Sequence, residues 1–243
     1  MYQIKYLKEI DSTNSELKRL AFLGAPSGTV LVADRQTAGR GRLGRAFYSP
    51  SDSGIYMSVL LRPVRLSDAG LLTTFTAVAV ARALSKNGIE VGIKWVNDLV
   101  AGGRKLCGIL AESGVYEKQP FAIIGIGINL KKTAFPEELR GIAVSLEELS
   151  GTAPDRDTLV RAILEELEKA NLQCPRDPAA LMDEYRRRSV TVGNPVRVLP
   201  HNGEAYDAFA QAIADDGSLT VRTADGRTIN VSSGEVSVKN RNG

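Results

Sequence analysis

Between residues 67 and 88 the chain reads SDAGLLTTFTAVAVARALSKNG, a helical run with apolar side chains on nearly every face. A helix apolar all round has no side to offer water, so it must lie buried between other layers. Ser67 is placed to cap it and Gly88 to stop it. The segments around it read as strands: 2–8, TVLVAD (29–34) and GIYMSVLL (54–61) before it, then VGIKW (91–95), LVAGGRKLCGILAES (99–113) and FAIIGIGINL (121–130) after it. Gly102-Gly103 makes the 99–113 segment a hairpin. In DSTNSELKRLAFLGA, Thr13 with Glu16 forms a capping box, Leu17, Leu20 and Ala21 an apolar face, and Gly24 a stop. Two further helices are expected near 157–171 and 177–188. Strands come in pairs and a regular βαβα alternation is missing, so the class is α+β with a mixed or mainly antiparallel sheet.

The texture changes after RRRSVTVGNP. Residues 195–239 carry short alternating segments, VRVLP, AYDAFAQAIA, SLTVRTA and TINVSSGEVSVK, punctuated by Asn202-Gly203, Asp216-Gly217 and Asp225-Gly226. This predicts a small SH3-like β-barrel and divides the chain into residues 1–191 and 192–243.

The sharpest chemical signal is GRGRLGRAFYSP at 39–50, whose first seven residues hold three glycines and three arginines. Glycine permits positive φ and close backbone approach, and arginine offers a planar fork of donors for phosphate or carboxylate. Net charge is only +3, too small for a bulk nucleic-acid binder, so the anion site must be local. Gly39, Gly41 and Gly44 match GxGxxG, but Pro50, Asp52 and Gly54 lead into a strand where a dinucleotide fold requires a helix. No Walker motif occurs, and the flanking buried strands do not suit a disordered arginine-glycine RNA-binding tract.

Other polar groups gather at strand ends. KWVND (94–98) presents a lysine, an amide and a carboxylate, RKLCGIL (104–110) adds Arg104 and Lys105, and GIGINL (125–130) ends on the amide of Asn129. That inventory suits ATP with Mg²⁺. The single histidine, His201, falls in the C-terminal segment, so no Ser-His or Cys-His pair can form in the larger unit. Carboxylate activation by ATP needs no imidazole, because the nucleophile is already ionised at neutral pH. Cationic shielding of its approach to the polyphosphate is the main requirement.

STN (12–14), GRGRLGR followed by FYSP, KWVNDL, RKLCGIL and GIGINL, in this order and spacing, resemble biotin protein ligases, also called biotin–acetyl-CoA-carboxylase ligases. The resemblance covers essentially the whole chain, including the end in GEVSVK. It implies the catalytic fold of the biotin and lipoate ligases, related to class II synthetases, with the SH3-like domain appended. It also implies an AMP-forming ligase that makes biotinyl-5′-adenylate from biotin and ATP with Mg²⁺, then transfers biotin to one lysine of a carboxyl-carrier domain. That carrier is expected in an acetyl-CoA or pyruvate carboxylase.

By the same resemblance Ser12, Thr13, Asn14 and Gln36 line the biotin pocket, and Arg40, Gly41 and Arg42 close over the carboxylate and α-phosphate. Lys105 bridges carboxylate and phosphate, Lys94, Asn97 and Asn129 belong to the triphosphate region with Arg45, and Lys239 approaches the nucleotide. Asp98 is the candidate base for the acceptor lysine, with a structural capping role as its alternative. No protein side chain is singled out as an Mg²⁺ ligand. Phe47 stands where some members have tryptophan, and Val96 where proline is usual.

Only 11 residues precede Ser12, so the resemblance is to the single-function class, and sequence-specific DNA binding is not expected. A homodimer stays open, since no edge strand can be identified. Cys107 and Cys174 form no CxxC, no secretory leader is visible and no stretch approaches ~20 uninterrupted apolar residues, so a cytoplasmic protein without a membrane partner is expected. Two rivals remain: a lipoate or octanoate ligase, whose usual Arg-Arg-x-Ser-Gly-Gly-Gly run is missing, and a non-catalytic biotin- or nucleotide-binding regulator.

Overall fold

A computed structural model describes residues 2–62, 69–133, 135–200 and 203–238. Ser67, His201, Asn202 and Lys239, singled out above, lie outside the described residues. Among the described residues twelve strands form two sheets, accompanied by five α-helices. The larger sheet takes β1 (Gln3–Ile10), β2 (Thr29–Gln36), β3 (Gly54–Leu61), β4 (Gly92–Lys94), β5 (Asp98–Ala101), β6 (Arg104–Tyr116) and β7 (Gln119–Asn129). Their order is β1-β2-β3-β7-β6-β5-β4, with β1 and β2 parallel and every other pair antiparallel. The parallel pair needs a crossover, which helix α1 (Thr13–Phe22) supplies.

Alternation along the strands separates two faces. On one, Leu17 and Ala21 of α1 pack with Leu31, Leu60, Phe121 and Ile123. The other carries Val32, Met57, Val59, Ile124, Ile126 and Ile128 in the main core with α2 (Ala69–Lys86), α4 (Arg156–Gln173) and α5 (Pro178–Arg188). Residues 77–81 of α2 are all buried, as an all-round apolar helix requires.

Local details differ from expectation in instructive ways. Ser12, rather than Thr13, caps α1, its side chain accepting from the Ser15 amide, because Thr13 is the first helical residue and turns inward. A five-residue helix, α3 (Leu146–Ser150), went unpredicted, too short to show a period, though Ser145 and Glu148 form its capping box. Gly102 and Gly103 take φ of 57° and 75°, the left-handed pair of a two-residue hairpin turn.

The second sheet contains β8 (Pro195–Leu199), β9 (Tyr206–Ile213), β10 (Leu219–Thr223), β11 (Thr228–Val231) and β12 (Glu235–Val238), all antiparallel in the order β11-β10-β9-β8-β12. The last predicted segment breaks at 232–234 into two strands that lie at opposite edges of this sheet. The buried indole of Trp95 donates to the Gly217 carbonyl at 2.8 Å, and Arg186 donates to the Ile213 carbonyl and pairs with Asp215, fastening the second sheet to the first unit. Among the described residues no helix is long and apolar enough to cross a membrane.

Candidate active site

The face of the large sheet that carries α1 is open beyond the helix's N-terminus, and there a cleft forms. Its floor is glycine. Gly108 of β6 pairs with Gly127 of β7, and Leu110 with Gly125, so three side-chain positions on one face are vacant. A Cβ at Gly125 would stand 2.3 Å from Oδ1 of Asn14, and one at Gly127 would stand 2.5 Å from the Phe47 ring. Both lie far inside contact distance, so these strands expose bare backbone because α1 and the arginine loop press close. The roof is the 39–46 loop, with a single 3-10 turn at Arg42–Gly44 in which Leu43 takes φ 56°.

One end of the cleft is lined by small polar side chains. Thr13 sends both its backbone amide and its hydroxyl to Oε1 of Gln36, at 2.9 and 3.1 Å. Nε2 of Gln36 donates to Ser49 at 3.0 Å. Ser58 lies 2.7 Å from the Thr13 hydroxyl and 2.6 Å from Asn14 Oδ1, one proton facing two acceptors. Asn14 in turn donates to Glu112 at 2.9 Å, and Glu112 pairs with Arg40 at 3.2 Å. The chain of bonds therefore starts at Ser49, just after the arginine loop, and returns to that loop at Arg40. Asn14 is 3% exposed and Ser58 fully buried, so each of these bonds fixes an amide or hydroxyl that burial would otherwise penalise.

The other end is cationic. Arg42 donates at 3.2 Å to the Asn97 side-chain carbonyl and at 3.2 Å to the Gly234 main-chain carbonyl. Asn97 is itself held by donating to the Ile109 carbonyl at 2.9 Å, which leaves its oxygen aimed at Arg42. Burial pulls the Arg42 guanidinium below its usual value, opposed by Asp98, Tyr185 and Glu235. Lys105 lies 2.8 Å from Asp98. Arg45 reaches away from the cleft to Glu235 of β12, at 2.5 Å.

Nine of the residues expected from the sequence therefore stand together in the walls: Ser12, Thr13, Asn14, Gln36, Arg40, Gly41, Arg42, Asn97 and Lys105. Asp98 touches the site through Lys105. Lys94 lies opposite Asp98 across the β4–β5 pair, Asn129 spends its amide on the Lys105 and Val144 carbonyls, and Arg45 faces the second sheet, so these three stand outside the walls. Glu112, Ser58, Ser49 and Tyr56 were not singled out. Two left a signal: Ser58 interrupts GIYMSVLL, and Glu112 is the one acid of β6, following the apolar run ILA.

Two groups near the cleft are held in their neutral forms. Burial and the nearby Asp98 raise the Cys107 thiol far above its ordinary range, and burial pushes the Tyr56 phenol up to about 12. Among the described residues no group of three or more His, Cys, Asp or Glu is arranged to hold a metal. The arrangement suits a ligand with a donor-and-acceptor head at the Thr13–Gln36 end and an anionic tail at the Arg42–Lys105 end.

Comparison with known proteins identifies the family. Residues 6–129 match the model of the biotin/lipoate A/B protein ligase family, and residues 191–239 that of the biotin protein ligase C-terminal domain. The chain is 39% identical to the biotin–[acetyl-CoA-carboxylase] ligase of Mycobacterium tuberculosis, over 96% of this chain and 88% of the relative. It is 37% identical to the bifunctional ligase/repressor BirA of Bacillus subtilis, over 91% of this chain and 70% of the relative. The structure of Aquifex aeolicus biotin protein ligase in complex with biotin and ATP superposes with a TM-score of 0.86 at 29% identity, covering 98% of this chain and 99% of that one.

Proposed function

The chain belongs to the biotin/lipoate A/B protein ligase family, and we propose that its cleft is the site of both steps of protein biotinylation. The chain is a biotin protein ligase: ATP and biotin are its substrates, and biotin is transferred to a carrier protein. In the first step a biotin carboxylate oxygen attacks the α-phosphorus of ATP, forming biotinyl-5′-adenylate and releasing pyrophosphate. In the second, the ε-amine of a carrier lysine attacks the acyl carbon, an amide forms, AMP leaves with the electron pair of the broken C–O bond, and the amine's proton passes to a base.

The observation that carries this assignment of roles is the polarity of the cleft. Thr13, Asn14, Gln36 and Ser12 offer the paired donors and acceptors that a ureido ring needs, and Arg42 and Lys105 stand ready for the carboxylate and phosphate in the same glycine-floored cleft. Two like-charged reactants must meet, so a guanidinium and an ammonium that stabilise charge building on the α-phosphate oxygens supply the principal catalysis. Arg40 and Gly41 close over the acyl-phosphate and keep water from it, since hydrolysis is the competing fate. Asp98, one contact away from Lys105, accepts the proton of the incoming amine.

Asn97, which stands in the cleft wall beside Arg42, is assigned to the side on which the triphosphate lies; Lys94, Asn129 and Arg45 stand outside the walls and would meet the triphosphate only where it extends beyond them, and Lys239 lies outside the described residues. Mg²⁺ would be held chiefly by the phosphates of ATP, whose charge it would offset, because the nearby carboxylate, Asp98, is engaged by Lys105. The catalytic unit is taken as residues 1–191 and the C-terminal unit as 192–243. The acceptor is the carrier domain of a biotin-dependent carboxylase, acetyl-CoA or pyruvate carboxylase being the chemical candidates.

ATP–pyrophosphate exchange tests the reading, with biotin, lipoate, octanoate or no acid supplied. Exchange with biotin alone supports it. Exchange with lipoate or octanoate would mean that the polar end has been misassigned, and no exchange from folded protein would leave a binding protein rather than an enzyme.

A further inference from the structure

Glu112 lies behind the polar end of the cleft, bonded to two of its lining residues, Asn14 and Arg40, and its surroundings are specific. Its side chain is 17% exposed, on the same face of β6 as Gly108 and Leu110. One oxygen takes the buried Asn14 amide at 2.9 Å, and the carboxylate holds Nη1 of Arg40 at 3.2 Å. Asn14 uses its other side, Oδ1, on Ser58. The carboxylate therefore joins a wall of the ring pocket to the roof of the cleft.

That position poses a physical question. A carboxylate beside a site for an anionic substrate ought to repel it, and a partly buried charge costs free energy unless paired. Both objections are met by Arg40, which neutralises Glu112 from the loop side. Apart from Arg40, loop residues 39–46 reach outward through Arg42, to the Asn97 side chain and the Gly234 carbonyl, and through Arg45 to Glu235 of the small sheet, while the bond from the Phe47 amide to the Gly39 carbonyl only closes the loop on itself. Glycines 39, 41 and 44 let such a segment hinge.

We propose that the Glu112–Arg40 ion pair is the latch that holds the arginine loop shut over the cleft, with Glu112 the positioning residue that aims Arg40 and Asn14 together. The role of the closed loop rests on the ligase reading above; the existence of the latch does not. Closing the loop neutralises Glu112, and opening it leaves that carboxylate uncompensated beside the substrate. Glu112 thus favours the closed state most strongly when an anion occupies the cleft. Arg40 is 46% exposed in the pair, so salt should weaken the latch.

The test uses Glu112→Gln, which keeps an oxygen for Asn14 but removes the charge that holds Arg40. In ligand-free protein, limited trypsin cleavage after Arg42 and Arg45, read by mass spectrometry, should be about fivefold faster than in wild type, the size of one half-exposed ion pair. Cleavage elsewhere and the Tm should be unchanged. Arg40→Gln should give the same acceleration, and the double variant no more than either single one, since one contact is lost in all three. With biotin and MgATP but no carrier, the Glu112→Gln enzyme should release AMP by leakage about fivefold faster, and added salt should raise leakage in wild type only. Cleavage at the wild-type rate in Glu112→Gln, or additive effects in the double variant, overturns the latch. Should Glu112→Gln fold poorly, Arg40→Gln, altered on the exposed side, decides by the same cleavage. Absence of biotin-dependent exchange in wild type would instead remove the ligase reading, and the cleavage rates would still decide the latch.

Discussion

Lys105 Nζ lies 2.8 Å from Asp98 Oδ1, an ion pair between adjacent strands at the cationic end of the cleft. Without substrate the lysine is thus held by a carboxylate it must share with the incoming anion, and Asp98 stays within reach of whatever Lys105 binds. Lys105→Ala should raise the barrier of the first step by about 2–4 kcal/mol, about 30- to 1000-fold in biotin-dependent pyrophosphate exchange. Asp98→Asn should spare exchange better than it spares transfer to the carrier, because the base acts in the second step. Equal losses in the two assays would remove Asp98 from that role.

Gly125→Ala places a methyl group 2.3 Å from Asn14 Oδ1. Asn14 must move, and with it go the bonds to Ser58 and Glu112. Biotin binding, measured by calorimetry, should weaken about tenfold or more, the cost of one or two buried hydrogen bonds. The far-ultraviolet circular dichroism should stay that of the wild type.

Trp95→Phe removes the indole donor from the Gly217 carbonyl, a buried 2.8 Å bond between the two units. Urea unfolding should register a loss of about 1–3 kcal/mol, since the carbonyl is left without its partner. A change within experimental scatter would mean that water replaces the indole nitrogen there.

Glu166 is 3% exposed on α4, with Lys86 at 2.6 Å and Lys169 at 3.0 Å. Burial alone would raise its carboxyl, but hydrogen bonds from the two lysines outweigh it and hold the group below the ordinary 4.5. A carboxyl lowered by folding contributes stability above its unfolded value and loses it as pH falls through the folded one. Wild type should therefore lose stability below about pH 4.5, and Glu166→Gln should be less stable at pH 7 but flatter over that acid range. Urea midpoints at several pH values check both halves of this statement.

Much of the cleft's lining is legible in the sequence alone. Arg40 and Arg42 announce an anion because no other side chain presents a planar fork, and the glycines between them announce close approach. Thr13 and Gln36 were readable through the family resemblance, and the structure brings them to 2.9 Å of each other. Glu112 was hidden, because one acid in a strand resembles any solvated edge residue until its neighbours are known. The capping of α1 shifted by one residue for a related reason. Ser12 and Thr13 are both capping residues, serine the better one, and Ser58 and Gln36, waiting inside, claim the threonine.

By itself the sequence determined what is set within a few residues: the periods that make helices and strands, the Gly102-Gly103 turn, the burial of α2 and the cationic loop. Tertiary structure alone decided which groups meet across long separations. It set Gly125 against Asn14, Glu112 against Arg40, Arg42 against Gly234 and Trp95 against Gly217. Those pairings follow from sheet order and register, and the register of β6 on β7 is fixed by many strand contacts at once. No short window of the chain contains that sum, so the latch and the floor of the cleft exist only in the folded molecule.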